Sequence, residues 1–159
     1  MANAHNYRHG PQLFVRPAVD SSTVIELSDL LYLDTDDVKP ASAITWVSDA
    51  AAQAAFADAF LGVACDASAS GETDPINVDI STTSVYEFTC VATTWEIGNT
   101  FAVDGNGSDA LIDQTLEKVS TVTRCVARAV NRATASTTKV LVTFASAYAT
   151  GSANSNAFV

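Results

Sequence analysis

The stretch YLDTDDVKPA, residues 32–41, sets Asp34, Asp36 and Asp37 within four positions, between an apolar run and a second run that begins at Val38. Two readings compete for it, a calcium loop and the corner of a β-hairpin. A calcium loop of the helix–loop–helix type draws oxygens from alternate positions, with glycine at position six and glutamate at position twelve. Counting from Asp34, those places hold Lys39 and Thr45. Aspartate side chains also bond to nearby backbone amides and so fold a polar tip back on itself. The stretch therefore reads as strand, tip and strand, and it predicts a β protein with no metal centre at this point.

The pattern on either side agrees. LFV (13–15), TVIEL (23–27), LLYL (30–33), FLGVA (60–64), INVDI (76–80), VYEFTC (85–90), TFAV (100–103), TRCVARAV (123–130) and KVLVTF (139–144) are apolar or alternating runs divided by Asp, Ser, Gly and Thr. Alternation with period two is the signature of half-buried strands, and this spacing suits a barrel or sandwich. One segment breaks the rule. SDAAAQAAFADAF (48–60) puts Ala52, Phe56, Ala59 and Phe60 at helical spacing, with Ser48 as N-cap and Asp49 in the first turn.

The chain also carries a faint duplication. IELSDLLYLD (25–34) aligns with WEIGNTFAVD (95–104), and GVACDASASGETDPINVDI (62–80) with VARAVNRATASTTKVLVTF (126–144). The expected fold is thus mainly β: a small barrel or sandwich of two similar lobes with one short helix over about 48–59. An extended arm (1–22) precedes the β-rich body (23–148), and a polar tail (149–159) follows it. Arm and tail have the composition of segments that are ordered only by partners, and both are expected to be held by neighbours in an assembly.

Net charge is −10, but its distribution is the more informative quantity. Residues 20–117 hold all 18 carboxylates against the single base Lys39, while 1–19 and 118–159 contain no acid. Either the segments neutralise one another within one fold, or basic segments meet acidic surfaces on neighbouring molecules. So acidic a chain is a poor partner for nucleic acid. No apolar run approaches the roughly 20 residues that span a bilayer. The N-terminal residues lack the apolar centre of a signal peptide, which predicts synthesis in a cytoplasm. Cys65, Cys90 and Cys125 form no CxxC and read as buried free thiols.

Nothing in the sequence assembles a catalytic set. His5 and His9, the two histidines, both fall in the arm, and no GxSxG, HExxH, Walker or GxGxxG motif is present. The expectation is a protein with no catalytic residues and no cofactor. Contact residues are expected instead in the arm, at Tyr7, Arg8, Leu13, Phe14, Val15 and Arg16, where an apolar strand without a core of its own invites addition to a neighbour's sheet edge. A second set is Arg124, Arg128 and Arg132, spaced four apart with Val122, Val126 and Val130 between them. On a continuous strand all six would share one face, either a contact surface or a strand lying over the acidic half of the same molecule.

LSDLLYLDTDDVKPAS (27–42), FLGVACDASASGETDPINVDI (60–80) and VYEFTC (85–90), taken in that order, resemble small capsid decoration, or head cement, proteins of tailed bacteriophages. The resemblance covers roughly 27–145. It departs at Ser28, where the family has glycine, and this predicts a slightly different turn. The resemblance implies a non-enzymatic virion protein on the outer capsid surface. Its partners would be the major capsid protein and two further copies of itself, in a homotrimer with arm exchange at local three-fold axes. Another virion component, such as a tail or head-fibre base, and a glycan-binding β module for host surfaces are the alternatives carried forward.

Overall fold

The computed structural model describes residues 6–150. The first five residues, with His5, and most of the polar tail, with its final Phe158-Val159, lie outside the described residues. The described elements are β1 (Tyr7–His9), β2 (Phe14–Val15), β3 (Leu30–Asp34), β4 (Asp37–Pro40), α1 (Asp49–Ala59), β5 (Phe60–Ala64), β6 (Val78–Asp79), β7 (Val85–Trp95), β8 (Thr100–Gly105), β9 (Leu111–Lys118), β10 (Ala127–Ala129), β11 (Ala133–Phe144) and α2 (Ala147–Thr150). Short 3-10 turns occupy Ala41–Ala43 and Val122–Arg124.

The aspartate stretch is a hairpin. β3 and β4 pair antiparallel with Leu33 opposite Val38 and Asp34 opposite Asp37, leaving Thr35 and Asp36 as a two-residue loop. Thr35 has φ 62, the positive value that a tight hairpin loop needs at its first central residue. Lys39 ion-pairs with Asp34 across the corner. The helix also forms as read, with the Ser48 side chain accepting from the Ala51 amide at 3.3 Å.

Two sheets build the molecule. The first runs β2-β6-β5-β3-β4, and the second β1-β7-β11-β10-β8-β9. A parallel pairing of β7 with β9, Thr89 opposite Thr115, closes the second into a five-stranded barrel with β1 appended. The first is drawn together in the same way by one parallel bridge, Ala18 to Asp37.

The sheets are two copies of one plan. In strand order, β2, β3, β4, β5 and β6 correspond to β7, β8, β9, β10 and β11, with the same neighbours in each case. Registers agree as well. Leu31, Tyr32 and Leu33 face Pro40, Lys39 and Val38, as Phe101, Ala102 and Val103 face Lys118, Glu117 and Leu116. Ile25 bridges Ser68, as Trp95 pairs with Ala133. The duplication legible in 25–34 and 95–104 is therefore real. The second alignment needs one correction: Ala64 corresponds to Ala129, not Arg128, because the connection from Ala129 to its partner Val142 is one residue shorter than the connection from Ala64 to its partner Val78.

The core follows from this plan. β3 alternates its side chains between two clusters, Leu31 inside the first lobe and Leu30 and Tyr32 against the helix and second lobe. Being buried on both faces, it reads as a continuous apolar run rather than an alternating one. Phe56 of α1 and Phe60 of β5 have ring centroids 5.5 Å apart. Phe60 meets Phe144 of β11 at 5.7 Å, and Phe144 meets Phe88 of β7 at 5.2 Å. This aromatic chain joins helix, first lobe and barrel into one hydrophobic unit.

Three sequence readings are corrected. TVIEL contributes only the bridging residue Ile25, because the chain turns back at Glu26–Asp29. TRCVARAV is not one strand: its first part is the 3-10 turn that stands where the first lobe has α1, and pairing begins at Ala127. β9 went unread because its buried Leu111 and Leu116 are five apart, while the polar residues between them are half-buried against the first lobe.

Candidate interaction surface

The arm lies on its own chain. Tyr7 pairs with Tyr86 in β7, and their rings meet edge to face at 5.7 Å. Arg8 reaches the Glu87 carboxylate at 3.0 Å. Phe14 and Val15 pair with Asp79 and Val78 of β6, and the Arg16 guanidinium donates to the Pro75 carbonyl at 3.2 Å. The reading of residues 7–16 as a strand with no core of its own is overturned, since β2 is the opening strand of the first lobe. Leu13 and Phe14 nonetheless keep 57% and 48% of their surface exposed, so the arm presents an apolar edge outward.

A buried carboxylate fastens the arm. Asp79, 3% exposed, accepts from the Leu13 and Ser81 amides at 3.0 and 2.9 Å, from Ser84 Oγ at 2.7 Å and from Tyr86 Oη at 2.8 Å. Gln12 Nε2 donates to the same tyrosine oxygen at 3.1 Å. Arm, first lobe and barrel thus converge on one side chain, whose four donors satisfy a charge that burial would otherwise make costly. The nearby Cys65 thiol is pushed up to about 11 by burial, so it stays protonated.

The arginine stripe does not exist as a face. Arg124 sits on the 3-10 turn and donates to Gln53 Oε1 at 3.1 Å, Arg128 projects from β10, and Arg132 lies in the turn before β11 with its Nε 2.9 Å from Glu96. Val126 between them is 2% exposed and belongs to the core. The valine–arginine alternation is broken because three kinds of backbone replace the single strand that it required.

The most informative surface was not among the expected residues. Each lobe carries the same turn before its second strand. In the first, the Glu26 amide donates to Asp29 Oδ2 at 2.7 Å and the Asp29 amide to the Glu26 carbonyl at 3.1 Å. In the second, the Glu96 amide donates to Asn99 Oδ1 at 3.0 Å and the Asn99 amide to the Glu96 carbonyl at 3.1 Å. The Ser28 and Gly98 amides donate to the carbonyls of Ala64 and Ala129 at 2.9 and 2.8 Å.

The first turn is covered by the second lobe. Gln114 of β9 donates through Nε2 to Asp29 Oδ1 at 2.7 Å and to the Leu27 carbonyl at 3.2 Å. Asp113 accepts from the amide and hydroxyl of Ser42 at 2.6 and 2.9 Å. Burial there raises the Asp29 carboxyl to about 6 and lifts Asp113 as well. The second turn is bare, with Ile97 70% exposed at its tip. Among the described residues, no group of three or more His, Cys, Asp or Glu is arranged to hold a metal ion, and no helix is long and apolar enough to cross a membrane.

No protein-family model matches the chain, and no curated protein matches it either.

Proposed function

We propose that the chain is a structural virion protein, without enzymatic activity, that binds the outer surface of a phage capsid and stabilises it by clamping adjacent major capsid proteins. It acts as a trimer at local three-fold axes after synthesis in the host cytoplasm. The observation that carries the reading is the order of the resembling motifs, which fall on consecutive elements of the first lobe and on the opening strand of the second. LSDLLYLDTDDVKPAS spans the turn and the β3–β4 hairpin, FLGVACDASASGETDPINVDI spans β5 and β6, and VYEFTC opens β7.

The outward apolar edge at Leu13 and Phe14 supports a role in contacts rather than in chemistry. Arm exchange within the trimer would reuse the β1–β7 and β2–β6 pairings across subunits, as in domain swapping. Individual contacts can then be weak, because subunits tied together bind a shell with multiplied avidity.

The test is co-sedimentation with undecorated mature capsids, scored as copies bound per shell. Saturable binding in multiples of three is the expected result. A folded protein that leaves every capsid bare overturns the reading and moves the assignment to a tail component or a glycan-binding module.

A further inference from the structure

The duplication lets the contact between lobes predict a contact between molecules. Beside the first turn lies a hollow lined by Val24, Glu26, Asp29, Pro40 and Ser42 of the first lobe, and closed on its far side by Ile112, Asp113 and Gln114 of the second. By register, the first five correspond to Thr94, Glu96, Asn99, Lys118 and Ser120. Those residues line hollows in the second lobe that no residue of the first lobe closes. The contact is thus heterologous: it joins the turn face of one lobe to the third-strand face of the other. Such a contact always leaves one face of each kind unused, here the turn of the second lobe and the third-strand corner of the first.

The unused corner is the one that precedes the third strand of the first lobe. Thr115 to Lys118 correspond to Asp37 to Pro40. Ile112, Asp113 and Gln114 lie just before them in β9, and at that place the first lobe has the tip Thr35–Asp36, flanked by Asp34 and Asp37. We infer that the open hollow around Gly98 and Lys118 receives the Asp34–Asp37 corner of a second copy of this chain, joining copies head to tail. The inference rests on the self-association part of the proposed function and adds the junction itself.

Chemistry supports this occupant on both sides. Within the chain, the donor Gln114 meets the acceptor Asp29. At the open junction both polarities are reversed: the corner offers the acceptor Asp36, and the turn offers Asn99, whose Oδ1 is engaged by the Glu96 amide and whose Nδ2 is a donor. Where the first lobe has Pro40, the open hollow has Lys118, with Arg132 alongside. Lys118 and Arg132, the latter paired with Glu96, line the receptor. The ligand carries Asp36 and Asp37 beside an Asp34 paired with Lys39. The excess charge is positive on one side and negative on the other, the complementarity that sets register and orientation between partners. Repeating the junction closes a ring if its rotation closes.

Sedimentation velocity of the full chain from about 1 μM to 1 mM tests this, with the circular dichroism spectrum and melting temperature as folding controls. Ile97 and Asp36 are both exposed, so Ile97→Arg and Asp36→Arg should leave the fold intact while blocking opposite ends. The wild type should associate and each variant alone should sediment as a monomer. An equimolar mixture of the two should yield a dimer and nothing larger, because one intact junction survives. A wild type that stays monomeric, a single variant that keeps the wild-type mass, or a mixture that remains monomeric would each overturn the junction. Capsid co-sedimentation is read separately: an associating protein that ignores capsids removes the proposed function and leaves the junction standing.

Discussion

Ser28 and Gly98 occupy the same place in two copies of one turn, with φ of 73° and 85°. The serine adopts the left-handed conformation that favours glycine, so both lobes build the same turn at this position. Its hydroxyl is used, accepting from the Asn6 amide at 3.0 Å. Two residue types thus meet one backbone requirement. The first lobe tolerates strain there because its turn is covered.

That requirement makes Gly98→Ala informative. A Cβ at this position would meet nothing within 4 Å, so packing is unaffected. The cost is purely conformational, and the variant should lose about 1 kcal/mol of stability. Urea unfolding would register it as a lower midpoint at unchanged slope.

Asp29 predicts a pH dependence. Burial raises its carboxyl to about 6, above the value near 4 of an exposed aspartate. Between those values the folded chain keeps a proton that the unfolded chain has released, so this group's contribution is fully favourable below about pH 4 and declines as pH rises to 6. Asp29→Asn, which copies Asn99 of the second lobe, should abolish that decline because its side chain does not titrate, while losing the bond that Gln114 Nε2 donates to Oδ1. Denaturation midpoints from pH 4 to 8 for both proteins give the comparison; parallel profiles would refute it.

Asp79 predicts a separable arm. Asp79→Ala strips four donors of their acceptor and should cost about 3 kcal/mol or more. Tyr86→Phe removes one of these bonds and should cost about 1–2 kcal/mol. Hydrogen exchange at the Leu13 amide should accelerate far more in the first variant than in the second.

Phe56 is fully buried between Tyr32 and Phe60, at centroid distances of 5.9 and 5.5 Å. Phe56→Ala should cost about 3–5 kcal/mol. Because the ring touches both lobes' shared core, thermal unfolding should remain a single transition at a lower temperature, and two separated transitions would show instead that the lobes unfold independently.

The sequence by itself determined what local chemistry can specify. Asp34, Asp36 and Asp37 dictated a hairpin corner, Ser48 and the alanine-rich run dictated a capped helix, and ten matched positions disclosed two lobes of one plan. It could not show that β2 opens the first lobe, because two residues of strand carry no period and only pairing with β6 defines them. The spacing of Arg124, Arg128 and Arg132 likewise suggested a face that the backbone then divided among a turn, a strand and a loop. Above all, Glu26–Asp29 and Glu96–Asn99 are equivalent in position and in hydrogen bonding. Only the packing of β9 against the first turn made one buried and left the other exposed, since burial is a property of what the rest of the chain places beside a residue.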